Sequence, residues 1–472
     1  MNKLYASLAK IVCFANDNDA FTPELWAMEG LTILEENMGI ARLVHRDFNS
    51  AVANYGDVVN TRRPGEFRVQ RKTDSDSVAA QDASATNVRV PLDQHFYTTF
   101  IIKDGEASKS FQELAQVYLV PGMQSVARGV DRGLLGQAHR FFRTNALRAG
   151  RLTALSSSNA KDYTLEAREI LNRNKAYPEG RNLVLAPASE TALLKTELFI
   201  KANERGDGGN ALENARLGRI LGFDTYMFQN VPAVATGADV ATGTVTNALA
   251  AGIGGSQTVV ITGYEVVVGE FALVEGNQQP LYITAKTSGG GNTTALTLSE
   301  VNKYATGAVA PITVFKTCEV NGSYPAGWTK EVVVDGWTAL SAPQVGQMIA
   351  FGTGAGRHVY TIIESFLSAA GEQSLLLDRP LDILLTNDDA AFPGPYGAFN
   401  LAFHREAMAL VNRPLARPNS QFGVMSGVAA HNDISMRVTM QYASDIQGTR
   451  VTLDLLCGYA LLNVNLGVLL LG

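Results

Sequence analysis

The spacing of hydrophobic positions changes along the chain, and the clearest pattern lies between Ser110 and Leu147. A short helical segment, FQELAQVYL, runs into Val120-Pro121-Gly122. Proline lacks a backbone donor and restricts the residue before it, so a kink is expected at Pro121 and Gly122. Beyond it Met123, Val126, Ala127, Val130, Leu134, Ala138, Phe141 and Phe142 recur at spacings of three and four. That is the stripe of a helix packed on a sheet or on another helix. Arg128, Arg132, His139, Arg140 and Arg143 fall on the opposite arc. A helix over 122–147 would be about 39 Å long, the beam of a structural protein.

Around this beam the period changes. Thr22-Pro23-Glu24 is a helix start, with a hydroxyl N-cap, proline at the first helical position and an acid in the first turn. That helix should end near Asn37-Met38-Gly39. Alternation in Val58, Val59, Phe67, Val69, and again in Val88, Val90, Phe96, Thr98, Phe100 and Ile102, predicts a long hairpin over 51–102. Its tip, residues 73–87, is small and polar. A buried strand is expected over 182–186, a helix over 189–203, a short helix ending at Leu221-Gly222, and a strand over 223–228. From about 235 to 384 nearly every segment is a short β-run between glycine turns, which predicts an all-β insert, a barrel or a sandwich. A helical pattern resumes over 403–410, and two strands are expected over 434–442 and 451–462.

The 472 residues are enough for two or three domains. With 46% hydrophobic residues large cores can form, while 18% charged residues is low for the surface of a soluble monomer. Neighbouring molecules covering that surface, or a large core, would both produce it. The net charge of −6 disfavours a whole-chain nucleic-acid footprint. Cys13, Cys318 and Cys457 are far apart and form no CxxC, so buried thiols are expected rather than a zinc site or disulfide framework. Neither a signal peptide nor a membrane-spanning run is predicted.

Candidate chemistry is sparse. Gly352, Gly354 and Gly356 superficially suggest a phosphate loop, but a strand follows them where a nucleotide site needs a helix N-terminus. His431-Asn432-Asp433 reads as a turn. Six histidines are scattered without ligand spacing, and adjacent acids such as Glu35-Glu36 diverge on any regular element. No enzyme activity, cofactor or metal is expected. Charge is the more informative signal. The hairpin carries Arg62, Arg63, Arg68, Arg71 and Lys72 beside a tip with Asp74 and Asp76. This pairing suits a contact between subunits or a solvated edge protected by charge. The basic arc of the central helix (Arg128, Arg132, Arg140, Arg143) suits phosphate contacts or, with so many arginines, carboxylates of a neighbouring subunit.

The order of elements resembles the major capsid (coat) protein of tailed bacteriophages, in particular the short-tailed type with an inserted telokin-like β-domain. Leu217-Gly218-Arg219-Ile220-Leu221-Gly222-Phe223-Asp224, followed by Asn230-Val231-Pro232, is similar to the family's G-x₃-G-F segment leading to the insert. Gln344-Val345-Gly346-Gln347-Met348-Ile349-Ala350 is similar to its G-D-x-I strand, with Gln347 in place of Asp. Phe403-His404-Arg405-Glu406-Ala407 is similar to the return into the axial domain. The resemblance implies an α+β capsid fold. Its parts would be an N-arm (1–50), an extended loop (51–102), a spine helix and peripheral domain (103–152 with 429–472), an axial domain (153–235 with 385–428) and an insertion domain (236–384). It implies hexamers and pentamers of this chain in an icosahedral virion shell, assembled in a host cytoplasm around double-stranded DNA held non-specifically. Scaffolding, portal and decoration proteins would be partners, and no membrane. An encapsulin-like compartment is the alternative on the same fold. A carbohydrate-binding β-protein would explain the insert but not the central helix or the hairpin.

Overall fold

The computed structural model describes residues 23–46, 48, 56–63, 69, 71–72, 74, 86–105, 114–143, 145–152, 155–196, 217–234, 240–248, 250–252, 256–275, 279–307, 309–337, 342–369, 371–418 and 423–472. The described residues form three sheets, one of them a two-stranded hairpin, two closed barrels and four α-helices of eight or more residues.

Helix α1, Pro23–Asn37, has proline in its first turn and buries Trp26, Ala27, Leu31, Ile33 and Leu34. It packs on the strands Val424–His431 and Ile434–Ala443. Helix α2, Val120–Gly136, is the central element. Instead of a kink, a π-turn over Ala115–Leu119 leads into it, closed by the Val120 N–H on the Ala115 carbonyl. Leu119 and Val120 keep helical dihedrals, and Pro121 falls in the first α-turn, where its missing donor costs little. The α-helix stops at Gly136, well before Leu147. The chain continues as 3₁₀ turns over Gln137–Arg143 and Asn145–Leu147. The reason is local: the Gly136 carbonyl accepts from Thr361 Oγ1 at 3.0 Å and from the His139 ring, so it no longer serves the helix. Glycine also sets how closely α2 lies on its sheet. A Cβ at Gly133 would sit 2.4 Å from the Tyr459 hydroxyl.

Five strands form the antiparallel sheet under α2. The long strand Gly448–Leu461 pairs along one edge with Gln94–Lys103. Along its other edge it pairs with Ile434–Ala443 and, further on, with Met408–Arg413. Val424–His431 completes the sheet beside Ile434–Ala443. The expected hairpin is therefore divided. Val58–Arg63 pairs with Thr86–Pro91, but the next strand leaves for the C-terminal sheet. The segment 403–410, expected to be helical, is instead strand Gly397–His404, a 3₁₀ turn at Arg405–Ala407 and strand Met408–Arg413. His404 and Ala407 spaced as on a helix are here the two ends of a corner between sheets.

A mixed sheet joins distant parts of the chain. Gly397–His404 lies between Gly467–Leu471 and Arg181–Leu185, with Arg148–Gly150 and Phe223–Met227 outside them. Strand alternation splits its side chains between two cores. Val184, Leu401, Phe403, Leu469 and Leu471 join the core under α2. Leu183, Leu185, Ala402, Val468 and Leu470 join a second core beneath α3, Ala160–Arg173. The apolar run GVLLL is thus a strand buried on both faces. Leu217–Gly222, expected to end a helix, instead holds strand Arg219–Ile220, which turns at Leu221 and Gly222, both with positive φ, into Phe223–Met227. Helix α4, Pro187–Leu194, starts where the 189–203 helix was expected, and the remainder of that span from 197 lies outside the described residues.

The all-β segment forms two barrels of six strands each. The first runs from Val240–Val245 to Pro311–Phe315, the second from Cys318–Val320 to Ala390–Pro393. The pair therefore ends at Pro393 rather than at 384. Each barrel has its own core. In the second, Tyr324, Phe351 and Tyr360 are buried, while Trp328 and Trp337 pack on it only partly buried. The Gly352–Gly356 stretch is a tight turn between strands Met348–Phe351 and His358–Ala369. Gln347, in the position of the motif's Asp, is buried, donates to the Gly394 carbonyl at 2.7 Å and accepts from the Gln344 N–H at 3.0 Å. Cys318 and Cys457 are buried free thiols, and Cys13 lies outside the described residues.

Candidate assembly surfaces

Three features of the described surface are candidates for contacts outside the chain. The first is the hairpin Val58–Arg63/Thr86–Pro91. Among the described residues its base is anchored, through Val59, Val90 and Leu92, in a small cluster with Ala409, Val411 and Leu456. A two-stranded ladder is marginal by itself in water. Arg71, Lys72 and Asp74 are exposed. Arg62 and Arg63 end the strand, and their side chains, with Arg68 and Asp76, lie outside the described residues.

The second is the face of the antiparallel sheet turned away from α2. Cross-strand rows there run Tyr97–Asp454–Arg437, Thr99–Thr452–Thr439 and Ile101–Arg450–Gln441. Asp454 binds this face together. It accepts from Arg437 Nε at 3.1 Å and Nη2 at 2.5 Å, and lies 3.3 Å from His95 Nε2. Tyr97 stays 69% exposed and Arg450 is exposed, so among the described residues nothing covers this face at those two positions.

The third is α2 itself, and here the structure redistributes the predicted basic arc. The helix packs on the antiparallel sheet, on α1 and on strand His358–Ala369 of the second barrel. Arg128 is exposed and bonds its own Gln124 carbonyl. Arg132 is half-buried, donating to Glu364 at 2.5 Å and to the Ile363 carbonyl at 3.1 Å. Arg140 is half-buried, and its charge acts on Asp93 and Asp378. Arg143's side chain lies outside the described residues. His139 is buried instead of facing solvent. A helix surrounded on three sides has no single polar face, and hydrophobic periodicity cannot report that. Asp131, on the same helix, was not singled out by pattern. It is buried and receives the Gly39 N–H at 3.0 Å, and the neighbouring donors of Ile40, Ala41 and Asn230 also favour its charged form. Burial raises its carboxyl to about 6 despite those donors.

Polar seams hold the barrels to the body. At the first barrel, Arg148 is buried, donating to the Pro280 carbonyl at 2.9 Å and pairing with Glu300. Lys303 pairs with Glu166 at 2.6 Å, and the Tyr304 hydroxyl donates to the same carboxylate at 2.8 Å. Between the barrels Arg357 lies 4.6 Å from the Phe271 ring centre, 4.5 Å from Tyr282 and 5.4 Å from Phe392. Its Nη1 donates to the Gly269 carbonyl at 2.5 Å, and burial pushes its guanidinium down to about 10. A cation over three rings adds attraction beyond area burial.

Charge divides unevenly between these parts. Residues 240–393 hold thirteen Asp and Glu against six Lys and Arg, a net −7, while the whole chain is −6. The remainder is therefore close to neutral.

A cleft of about 330 Å³ between α3 and the first barrel contains Glu166, Glu169, Arg173 and Lys303. Its charges are paired, Glu169 with Arg173 at 2.5 Å and Glu166 with Lys303. Among the described residues no group of three or more His, Cys, Asp or Glu could hold a metal ion. No helix among them is long and apolar enough to cross a membrane.

No family model matches the sequence, and no curated protein does. Among solved structures, the chain is similar to one from Mycobacterium phage Che8, at 11% identity over 92% of this chain and 90% of that one, with a TM-score of 0.40. It is similar to a chain of the capsid of Cyanophage P-SCSP1u, at 10% identity over 91% and 90%, with a TM-score of 0.41. It is also similar to one of the mature capsid of bacteriophage PhiM1, at 10% identity over 91% and 86%, with a TM-score of 0.38. Identities and TM-scores this low do not establish a family.

Proposed function

We propose that this chain is a coat protein that assembles through contacts between copies, as hexamers and pentamers, into an icosahedral shell around double-stranded DNA. The observation that carries the reading is the hairpin. It stands on a small anchored base, its ladder is too small to be stable by itself, and its arginines and lysine adjoin acids of opposite sign. A neighbouring copy would supply the missing support. The exposure of Tyr97 and Arg450 on the sheet face and the charge partition support it too. A barrel pair of net −7 would be repelled by packaged DNA, which favours barrels on the outside and the near-neutral remainder within.

In that arrangement residues 1–50 act as the arm and 51–102 as the extended loop. The segments 103–152 and 429–472 act as the peripheral domain with its spine, 153–235 and 385–428 as the axial domain, and 236–384, with the strand to Pro393, as the insertion. These boundaries do not coincide with the sheets, since Met408–Arg413 and Val424–His431 lie with the C-terminal strands. Scaffolding, portal and decoration proteins would be the partners, and assembly would take place in the host cytoplasm. No catalytic role is assigned.

Purified protein examined by sedimentation velocity and negative-stain microscopy tests the proposal. Closed particles of narrow size distribution are expected, alone or on co-expression with its genomic neighbours. A species that stays monomeric under all these conditions would overturn it. Particles filled with protein cargo and free of DNA would point to a compartment instead.

A further inference from the structure

The second barrel meets the C-terminal end of α2 through a polar cluster that the assembly reading does not use. Asp378 is fully buried. Its Oδ1 accepts the Thr361 N–H at 2.8 Å, and its Oδ2 accepts from Gln137 Nε2 at 3.2 Å and Arg379 Nη1 at 3.4 Å. The Tyr459 hydroxyl, from the antiparallel sheet, donates to the Asp378 carbonyl. Arg379 reaches over the Tyr360 ring, 4.2 Å from its centre, and donates to the Val359 carbonyl at 2.8 Å. His139 stands between the two sides. Its Nδ1 faces the Gly136 carbonyl within hydrogen-bond distance, and its Nε2 lies 3.1 Å from Arg379 Nη1.

These partners leave one protonation state. A carbonyl oxygen only accepts, so Nδ1 carries the hydrogen. A guanidinium only donates, so Nε2 presents its lone pair. We propose that His139 is a proton-operated latch between α2 and the second barrel, closed while the imidazole is neutral. A second proton must go to Nε2, where it meets an N–H of a permanent cation at 3.1 Å. That replaces a hydrogen bond with two donors and two positive charges face to face.

Among the described residues, the other charges around the ring do not remove this conflict. Asp378 Oδ2 lies 4.0 Å from Nδ1, on the side already protonated, and shares its charge with Arg379 and Gln137. Asp382 is engaged by Arg379 at 3.3 Å and lies 3.4 Å from His358. Arg140, on the same 3₁₀ turn, adds positive charge, and Asp93 lies within the field of Arg140 and Arg379. Tyr360 and Tyr459 contribute neutral hydroxyls. Imidazoles ordinarily take up a proton between pH 5 and 8, so the latch opens as pH falls through that range. The barrel seam at α2 then loosens, whether or not the chain is in a shell.

Hydrogen exchange on the full-length chain at pH 7.5 and 5.5, corrected for the intrinsic pH dependence of exchange, reads this directly. Amides of 137–141, 358–363 and 378–382 should open about tenfold more often at pH 5.5, the factor for losing one charged hydrogen bond. His139→Gln can still donate to the Gly136 carbonyl and accept from Arg379, but it cannot protonate, and its exchange there should be flat with pH. Arg379→Gln removes the cation and should shrink the change. An equal pH response in wild type and His139→Gln overturns the proposal. If neither variant folds, the wild type still decides. A response confined to those three segments supports the latch, and no response, or one spread through both barrels, refutes it.

Discussion

Gly133→Ala is the substitution that most sharply separates local preference from tertiary packing. Alanine is favoured over glycine inside a helix by about 1 kcal/mol, and Gly133 lies within α2 at a negative φ. A reading confined to the helix therefore expects a stabilised protein. The structure expects the reverse. The new Cβ would meet Tyr459 at 2.4 Å from the hydroxyl oxygen, 2.7 Å from Cζ and 2.8 Å from Cε1. The Tyr459 ring is 7% exposed and its hydroxyl is held by the Asp378 carbonyl, so it has little room to retreat. Overpacking typically costs about 1–3 kcal/mol, and displacing the hydroxyl loses a further ~1 kcal/mol. After the helix gain, a net loss of about 1–3 kcal/mol remains. Trp26 lies in the same core, whereas Trp328 and Trp337 belong to the second barrel. Urea unfolding followed by Trp26 fluorescence, in a Trp328→Phe/Trp337→Phe background, isolates the relevant transition. Adding Tyr459→Phe removes the atom in closest contact and should recover part of the loss, giving a favourable coupling of at least about 0.5 kcal/mol. A Gly133→Ala protein as stable as its parent, or more so, would refute the close-approach argument.

Three further outcomes are expected. Arg68→Glu with Arg71→Glu should impair assembly while the circular dichroism spectrum of the monomer is unchanged; intact shells from this double variant would count against the hairpin contact, and single changes should be weak because exposed pairs contribute only about 0.2–1 kcal/mol each. Arg357→Ala should uncouple the barrels, so that calorimetry of an excised 236–393 segment changes from one cooperative transition to two; a single unchanged transition would show that the three-ring contact does not couple them. Asp131, whose folded carboxyl is raised to about 6, favours the folded state most below the ordinary Asp range, and that contribution is lost as pH rises through 6. From the ordinary value of 3.8 the span is worth about 3 kcal/mol. Asp131→Asn should therefore flatten the decline in stability between pH 4 and pH 7, and an identical pH profile would exclude Asp131 as its source.

Much of the local structure was legible in the residues. Capping signals located α1, and period-two and period-four patterns located the start of α2, the C-terminal strands and the all-β segment, because side-chain burial repeats with the geometry of each element. Gly352–Gly356 and His431–Asp433 read correctly as turns, since turn chemistry is local. The regions that misled were those where a distant partner decided the outcome. Spacing over Met123–Phe142 suits a helix throughout, yet Thr361 and His139 draw off the Gly136 carbonyl and end it. Phe403–Leu410 has helical spacing, but pairing with Arg181–Leu185 and Gly448–Leu461 makes it two strands. α3 buries Ala160, Thr164, Ala167, Ile170 and Leu171, a helical stripe that stands among stronger strand signals.

The candidate surfaces divide the same way. Composition alone places the basic residues on the hairpin and the acids on the barrels, because charge is a property of each residue. Which arginine is free and which is consumed is not. Arg132 meets Glu364, 232 residues away, and Arg148 meets Glu300, 152 away. His139 counted by periodicity as a solvent-facing residue, but the second barrel closes over it and selects its neutral form. Long-range hydrogen bonds depend on where two segments of chain come to rest, and a linear pattern of hydrophobicity holds no term for that distance.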